Sequence, residues 1–173
     1  MRIINLPALN GDCILVEFQT SHYILIDGGY VDTYENYLLP TLKEIEAQGC
    51  KLDVVVVTHI DSDHISGIIR LLEDMPIGIG EIWYNGYRHI QSVAVTTEEK
   101  ETFAHRSICK ESQSEECKPI SAKQGCTLSA LIARNGIPWN IPGKGNAIMA
   151  PMSFTLGDAI IHVLSPNNED IGA

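Results

Sequence analysis

The amino-acid sequence of 173 residues predicts a single α/β domain in which strands and helices alternate. The run DVVVV at residues 53–57 is apolar on both faces, as expected of a strand covered on both sides. Directly after it, residues 65–74 place apolar side chains three and four positions apart, which predicts an amphipathic helix. Two further apolar strands, at residues 12–18 and 22–27, precede a segment of helical period within residues 32–48.

Local signals predict the remaining elements. Strands are also expected over residues 2–5, 80–84, 153–156 and 159–164, and a helix over residues 121–135. Gly157 and Asp158 form a strong turn signal, so the last two strands are expected to form a hairpin. Pro40 lies inside the first helical segment, and that helix is expected to begin or kink there. Ser165 and Pro166 are typical of a helix start, and a chain that ends just after them is expected to be incomplete.

Residues 91–120 differ in character from the rest of the chain. They are polar and show no clean apolar period, and a helix around residues 97–110 is the one element predicted within them. We therefore expect one domain over residues 1–173, with a polar insertion or mobile segment at about 91–120.

The composition restricts the compartment and the class of partner. The five cysteines are an odd number without a CxxC pair, so a reducing compartment is expected and a disulfide framework is not. The sequence shows neither a signal peptide nor the roughly 18–20 consecutive apolar residues of a membrane span, which predicts a cytoplasmic protein without membrane contact. The formal charge of −10 opposes an extended nucleic-acid surface, although metal ions could still bind a phosphate locally.

Four side chains with metal-binding groups follow the strand DVVVV within six residues: His59, Asp61, Asp63 and His64. Imidazole and carboxylate groups bind divalent metals when several of them converge. These four cannot converge from one regular strand or helix. They can converge from a loop at the carboxyl end of a strand, where α/β folds place their sites. The spacing suits two metal ions that share a hydrolytic water.

A set of ordinary structural roles is the alternative explanation of the same residues. Asp63 or Ser62 would cap the following helix, His59 would end the strand, and Asp61 would lie in a solvated turn. Each role is common for a single residue. Because all of them would have to occur together within six residues, the metal-site interpretation is favoured.

The segment THIDSDHISG resembles the signature H-x-H-x-D-H-x-x-G of the metallo-β-lactamase superfamily, with Asp61 in the second histidine position. Upstream, GDCILVEF and YILIDGG are similar to the first strands and the Asp-Gly-Gly motif of that superfamily. The stretch NGDCILVE most resembles hydrolases related to the ComEC competence-protein domain. The resemblance implies an αββα sandwich, of which this chain would hold the first half to two-thirds.

The resemblance also implies roles for individual residues. His59 and Asp61 would bind a first divalent ion, and Asp63 and His64 would bind a second. Asp63 would in addition orient the attacking water as the catalytic residue. Asp27 would orient the ligands or their loop through hydrogen bonds.

Other positions bear on the metal and on the packing of the site. Gly67 would let the helix lie close to the sheet. Zinc is the usual metal of the superfamily, whereas Asp61 in place of a histidine would either shift the preference toward manganese or iron or weaken the first site. The later ligands of the superfamily, a further histidine, a bridging aspartate and a final histidine, have no clear counterpart. His89 is the best candidate for a third histidine, and His162 fits a strand surface better than a metal site.

The resulting hypothesis is a hydrolase that uses metal-bound hydroxide on a small-molecule substrate, with a phosphodiester favoured by the ComEC-like motif. Two alternatives stay open. The same segment also resembles the first motif of the DHH phosphoesterases, which bind manganese. An incomplete or degenerate domain would instead be a non-catalytic binding or assembly module, and an uncovered sheet face would favour its self-association.

Overall fold

A computed structural model gives the structure of the protein and describes residues 1–19, 21–86, 89 and 120–167. Within these residues the strands are β1 (Arg2–Asn5), β2 (Ile14–Phe18), β3 (His22–Ile26), β4 (Leu52–Val56), β5 (Ile79–Trp83), β6 (Met152–Leu156) and β7 (Ala159–Val163). The helices are α1, made of Val31–Thr33, Tyr34–Leu38 and Leu39–Ala47 in direct succession, α2 (Ser62–Asp74) and α3 (Ile120–Arg134). Five strands form a central sheet and two form a hairpin, so the predicted α/β class is confirmed.

The central sheet has the order β1-β2-β3-β4-β5, with antiparallel pairing up to β3 and parallel pairing from β3 to β5. Parallel neighbours need a crossover connection, which α1 supplies between β3 and β4 and α2 supplies between β4 and β5. The register pairs Val56 with Ile26 on one side and with Trp83 on the other. The carboxyl ends of three strands therefore lie side by side at one edge of the sheet.

Both faces of the central sheet are covered. Leu25 and Val55 belong to the large core between the sheet and the helices. Val54 and Trp83 lie on the opposite face and pack with apolar side chains of β6 and β7. Trp83 contacts Phe154 of the hairpin edge to face, with 5.1 Å between the ring centroids. Burial on both faces explains the three consecutive valines of β4, Val54, Val55 and Val56.

Helix α1 changes its winding just before Pro40. The Leu39 N–H donates to the carbonyl of Tyr34, five residues back, so Tyr34–Leu38 is a π-helical turn. Pro40 has no N–H, and in a regular helix its ring would clash with the carbonyl of Asn36. The wider turn separates these groups. The disturbance expected at Pro40 is therefore a π-helical turn, and the helix continues through the proline.

A buried amide fixes the loop after α3 against the end of β5. Asn140 is fully buried, and its left-handed backbone (φ 50°) is a conformation in which asparagine is enriched. Its Oδ1 accepts the N–H of Tyr84 at 2.9 Å, and its Nδ2 donates to the carbonyl oxygens of Tyr84 and Asn146 at 3.2 and 3.1 Å. These bonds hold Trp139 beside Tyr84, with the two rings stacked at 5.8 Å.

The first turns of α2 lie directly against the loop that follows β3. The Gly28 N–H donates to the carbonyl of His64, and the Gly67 N–H donates to the carbonyl of Gly29, both at 2.9 Å. A Cβ atom added to Gly67 would lie 1.9 Å from the carbonyl oxygen of Gly28. The expectation that Gly67 allows close packing of this helix is confirmed.

Three expectations about the second half of the chain have different outcomes. The predicted insertion at 91–120, with its helix at 97–110, lies outside the described residues except for Ile120, where α3 begins. Residues 165–167 are not helical, and the Pro166 carbonyl accepts the Ala150 N–H at 2.8 Å, so the helix start expected there is wrong. Cys126 is disulfide-bonded, contrary to the expectation from the cysteine count.

The length and polarity of the helices bear on membrane association. In the part of the chain that the structure describes, none of them is long and apolar enough to cross a membrane.

The contact between Gly67 and Gly28 yields a stability prediction. Gly67→Ala should lower the free energy of unfolding by about 2–4 kcal/mol, because the new methyl group collides with backbone that cannot move without shifting the sheet edge. The measurement is urea unfolding followed by circular dichroism. Helix propensity alone would favour alanine by about 1 kcal/mol, so the predicted loss has the opposite sign.

Gly78→Ala is the matched control for this substitution. A Cβ atom there would lie 3.6 Å from the Lys51 Cβ, an ordinary contact, and the stability should change by no more than about 0.5 kcal/mol. If Gly67→Ala were as stable as Gly78→Ala, the close approach of α2 to the strand-end loop would not exist in solution.

Candidate metal centre

The predicted site residues come together where β3 and β4 end. Asp27 follows β3 directly, with a left-handed backbone (φ 55°), and its N–H donates to the carbonyl of Val56 at 2.9 Å. Thr58 and His59 leave the end of the neighbouring strand β4, and the chain enters α2 at Ser62. The parallel pairing of β3 with β4 therefore places the Asp-Gly-Gly motif beside residues 57–61, the signature loop, which connects β4 to α2.

The carboxylate of Asp27 is the hydrogen-bonding centre of this region. It is 1% exposed, its Oδ1 accepts the Thr58 N–H at 2.9 Å, and its Oδ2 accepts the Thr58 hydroxyl at 2.5 Å. The Nδ1 atom of His64 lies 3.0 Å from the same Oδ2. Asp27 thus connects the end of β3, the signature loop and the first turn of α2.

These bonds also determine which ring nitrogens carry protons. Thr58 has a single hydroxyl proton and donates it to Asp27, so the 2.8 Å contact between its Oγ1 and His59 Nδ1 requires a proton on that nitrogen. His64 likewise donates its Nδ1 proton to Asp27. In the neutral rings the Nε2 atoms of both histidines then carry lone pairs, which is the form that binds a metal.

Each of these Nε2 atoms faces one carboxylate of the signature. His59 Nε2 lies 3.7 Å from Asp61 Oδ2, and His64 Nε2 lies 3.8 Å from Asp63 Oδ2. Both distances are too long for hydrogen bonds. Two ligand atoms at about 2.1 Å from one tetrahedral ion would be roughly 3.4 Å apart, so each pair is spaced nearly as ligands of a shared ion. The two imidazole rings are neighbours, with centroids 3.8 Å apart.

The alternative of ordinary structural roles does not account for Ser62, whereas the Asp61 side chain is 65% exposed, as the solvated turn of that alternative requires. Asp61 occupies the N-cap position of α2 with extended backbone, but its side chain makes no capping hydrogen bond. The Ser62 hydroxyl donates to Gln124 of α3 at 2.8 Å. The carboxylate of Asp61 therefore faces His59 rather than the helix backbone.

A second grouping of the same histidines includes Asp27. One ligand atom from each of Asp27, His59 and His64 lies within 4.8 Å of the other two. Both oxygens of Asp27 accept hydrogen bonds from Thr58 and His64, whereas the Nε2 atoms of the two histidines face Asp61 and Asp63. A carboxylate that holds the far nitrogen of a ligating histidine is the usual arrangement around protein-bound metals.

The charge of the site is strongly negative. Asp12 adds a fourth carboxylate, with its Oδ2 3.9 Å from His64 Nδ1. Among the residues that the structure describes, none of these four aspartates forms an ion pair with a lysine or arginine. The thiol of Cys13 stays neutral beside them, because burial and the charge of Asp27 raise its pKa to about 12. The site therefore has negative charge that a bound cation would compensate.

The two other histidines considered from sequence lie elsewhere. His89 is buried against Trp139, with 4.5 Å between ring centroids, and is outside the group formed by Asp27, His59 and His64. His162 is exposed on the hairpin and its Nδ1 lies 2.8 Å from the Ser153 hydroxyl, in agreement with a strand-surface position. Three residues of the site were not identified from sequence, although one of them directly precedes the first histidine: Thr58, Asp12 and Gln124.

Parts of this chain are similar to a known protein family and to individual known proteins. The family model of the metallo-beta-lactamase superfamily matches residues 6–116. A hydroxyacylglutathione hydrolase of Photobacterium profundum is 31% identical over 77 residues, which are 44% of this chain and 28% of that protein. A protein of the same name from Aeromonas hydrophila subsp. hydrophila is 28% identical over 74 residues, 43% of this chain and 26% of that protein.

The matches to these two relatives thus cover less than a third of their length. The family match, in contrast, covers more than half of this chain and includes the Asp-Gly-Gly motif and the complete signature. The chain therefore belongs to the metallo-beta-lactamase superfamily.

Proposed function

We propose that this chain carries the metal-binding half of a hydrolase site, in which His59 and Asp61 bind one divalent ion and Asp63 and His64 bind a second. The observation that carries the proposal is the pairing of each Nε2 atom with a carboxylate at 3.7 and 3.8 Å. The hydrogen bonds that the two Nδ1–H groups donate to Thr58 and Asp27 hold both rings in the orientation and protonation that this pairing needs.

The donor set suits borderline to hard divalent ions. Imidazole nitrogens bind zinc, manganese and iron, and a second carboxylate in place of a histidine moves the preference toward manganese or iron. We propose zinc as the principal metal, since two histidines are present and the superfamily usually binds it. A bound divalent ion supplies a water of lowered pKa as the nucleophile and a positive charge that stabilises the transition state.

The residues of the chain supply orientation and proton handling around that chemistry. Asp63, whose side chain is 23% exposed, stays accessible to solvent, and its carboxylate would accept a hydrogen bond from the attacking water. Asp27 and Thr58 stay beneath, hold the two imidazoles and stabilise the positive charge that the rings share with a bound ion. The N-terminus of α2, in whose first turn Asp63 and His64 lie, adds a partial positive charge to this region.

For the substrate we propose a phosphodiester of a small molecule. The ComEC-like stretch NGDCILVE supports this class. The acyl chemistry in the names of the two relatives supports a second class, the hydroxyacylglutathiones.

Family membership leaves the DHH-type phosphoesterase without support. The non-catalytic module, in which this domain self-associates or binds without turning over a substrate, is the remaining alternative.

The metal content gives the first test of the proposal. Protein purified without chelator should contain between one and two equivalents of zinc, manganese or iron by mass spectrometry of the elements. Asp63→Asn should lose at least one of them, because the amide has no negative charge to offer. His162→Ala, on the exposed hairpin, is the control and should keep the metal. If the chain contained no metal and its melting temperature did not change when chelator was added, the result would support the non-catalytic module instead.

The hydroxyl of Thr58 provides a second test, directed at the orientation of the histidines. Thr58→Val keeps the shape of the side chain but removes the donor to Asp27 and the acceptor for His59, so zinc affinity should fall about tenfold. Thr58→Ser keeps the hydroxyl and should bind within about threefold of the wild type. Chelator competition measures both. Equal affinities for the valine and serine variants would show that the hydroxyl does not position the ring.

Hydrolysis assays distinguish between the two proposed classes of substrate. With zinc or manganese, the protein should hydrolyse bis(p-nitrophenyl) phosphate, and Asp63→Asn should reduce kcat/KM at least about 100-fold because it removes a ligand and the water-orienting group. Hydrolysis of hydroxyacylglutathione alone would contradict the phosphodiester proposal and assign acyl chemistry. If the protein bound metal but hydrolysed neither compound, the result would support metal binding alone as its function.

A further inference from the structure

Helices α2 and α3 run parallel to each other and are joined at both ends by side-chain amides. Near the start of the pair, Gln124 contacts Ser62 and Ser66. At the end, the Asn135 Nδ2 donates to the Leu72 carbonyl at 2.7 Å. The two contacts are six to ten residues apart along α2, or roughly 9–15 Å of helix. Only the first of them touches the segment that carries the site.

Both polar atoms of the Gln124 amide form a hydrogen bond with a serine hydroxyl of α2. Its Oε1 accepts the Ser62 hydroxyl at 2.8 Å, and its Nε2 donates to the Ser66 hydroxyl at 2.9 Å. Ser62 and Ser66 are four residues apart and therefore lie on the same side of α2. One amide group thus spans the first turn of the helix, the turn in which Asp63 and His64 are found.

We propose that Gln124 is a positioning residue for the metal centre, acting through Ser62 and Ser66. The inference rests on the proposed metal site. Ser62 lies between Asp61 and Asp63 in the chain, so a displacement of this turn by about 1 Å would shift Asp63 and His64 relative to His59 and Asp61. Asp27 holds the turn from the sheet side through His64, and Gln124 holds it from the side of α3.

The next residue of α3 contacts the signature loop directly. A Cβ atom added to Gly125 would lie 3.0 Å from the Tyr84 hydroxyl and 3.4 Å from Ile60 Cγ2. Ile60 is the residue between His59 and Asp61. Helix α3 therefore contacts the loop at Gly125 and the helix start at Gln124, so both pairs of metal-binding side chains depend on where it lies.

The test compares loss of the two amide contacts. Gln124→Met keeps the length of the side chain and removes both hydrogen bonds, and Ser66→Ala removes one of them. Asn135→Ala is the control, because it weakens the same helix pair far from the site. Zn²⁺ affinity is measured by competition with a chromophoric chelator, and Co²⁺ absorption spectra report the coordination geometry.

Gln124→Met should bind Zn²⁺ about tenfold more weakly and change the Co²⁺ spectrum, as expected when an outer hydrogen-bond partner is lost. Ser66→Ala should weaken binding in the same direction and covers the case in which Gln124→Met does not fold. Asn135→Ala should bind within about twofold of the wild type. Wild-type affinity in Gln124→Met, or equal weakening by Asn135→Ala, would overturn the proposal.

A wild type that binds no metal would refute the proposed function, and amide hydrogen exchange then decides this inference separately. In the metal-free protein, Gln124→Met should speed exchange of the His64 and Ile65 amides, which donate to the Asp61 carbonyl, at least about fivefold. The Met75 amide at the far end of α2 should not change. A uniform change along α2 would show that Gln124 contributes general helix packing and would overturn the positioning role.

Discussion

The buried carboxylate of Asp27 is the constraint on which the rest of the site depends. A charge this deeply buried is costly unless several donors bind it, and here Thr58 and His64 provide three. Those donors belong to two different elements, the loop after β4 and the first turn of α2. Because one group satisfies both, neither element can move without exposing an unpaired buried charge. A nearby cation would offset the remaining negative potential, so the cost of burying Asp27 is consistent with a role in holding ligands.

Close packing makes this bonding geometrically feasible. His64 reaches Asp27 because α2 lies against the backbone of Gly28, and any side chain at Gly67 would hold the helix away. The Gly28 N–H donates to the His64 carbonyl of the helix, and the Gly67 N–H of the helix donates to the Gly29 carbonyl, so the helix start and the strand-end loop are hydrogen-bonded in both directions. The geometry of the candidate metal site and the packing of the helix on the sheet are therefore coupled in this fold. The glycine in the signature is as much a part of the site as the histidines, although it offers no ligand atom.

Many of the strands and helices could be predicted from local sequence. The β-branched run at 53–57, the period of residues 65–74 and the Gly157–Asp158 turn each gave elements within a few residues of the observed bounds. The grouping of His59 and His64 followed from the strand-end position. Thr58 and Gln124 could not be assigned, because their partners lie 31 and 62 positions away in the chain and only the fold brings them together. The helix expected at Ser165 failed for a related reason, since a backbone bond from Ala150 competes with the local signal.

The hydrogen bonds of Asn140 have a consequence for where the length and sequence of this domain can change. Both ends of the turn at residues 141–145 are anchored, by the Asn140 side chain to the Asn146 carbonyl and by the Gly145 N–H to the Asn140 carbonyl. The tip between them is largely solvent-facing. Such a closed loop can lengthen or change composition at little energetic cost, since the entropy of closing it grows only slowly with length. This position near the end of β5 is thus a natural place for insertions that alter what reaches the neighbouring edge of the sheet while the scaffold beneath is unchanged.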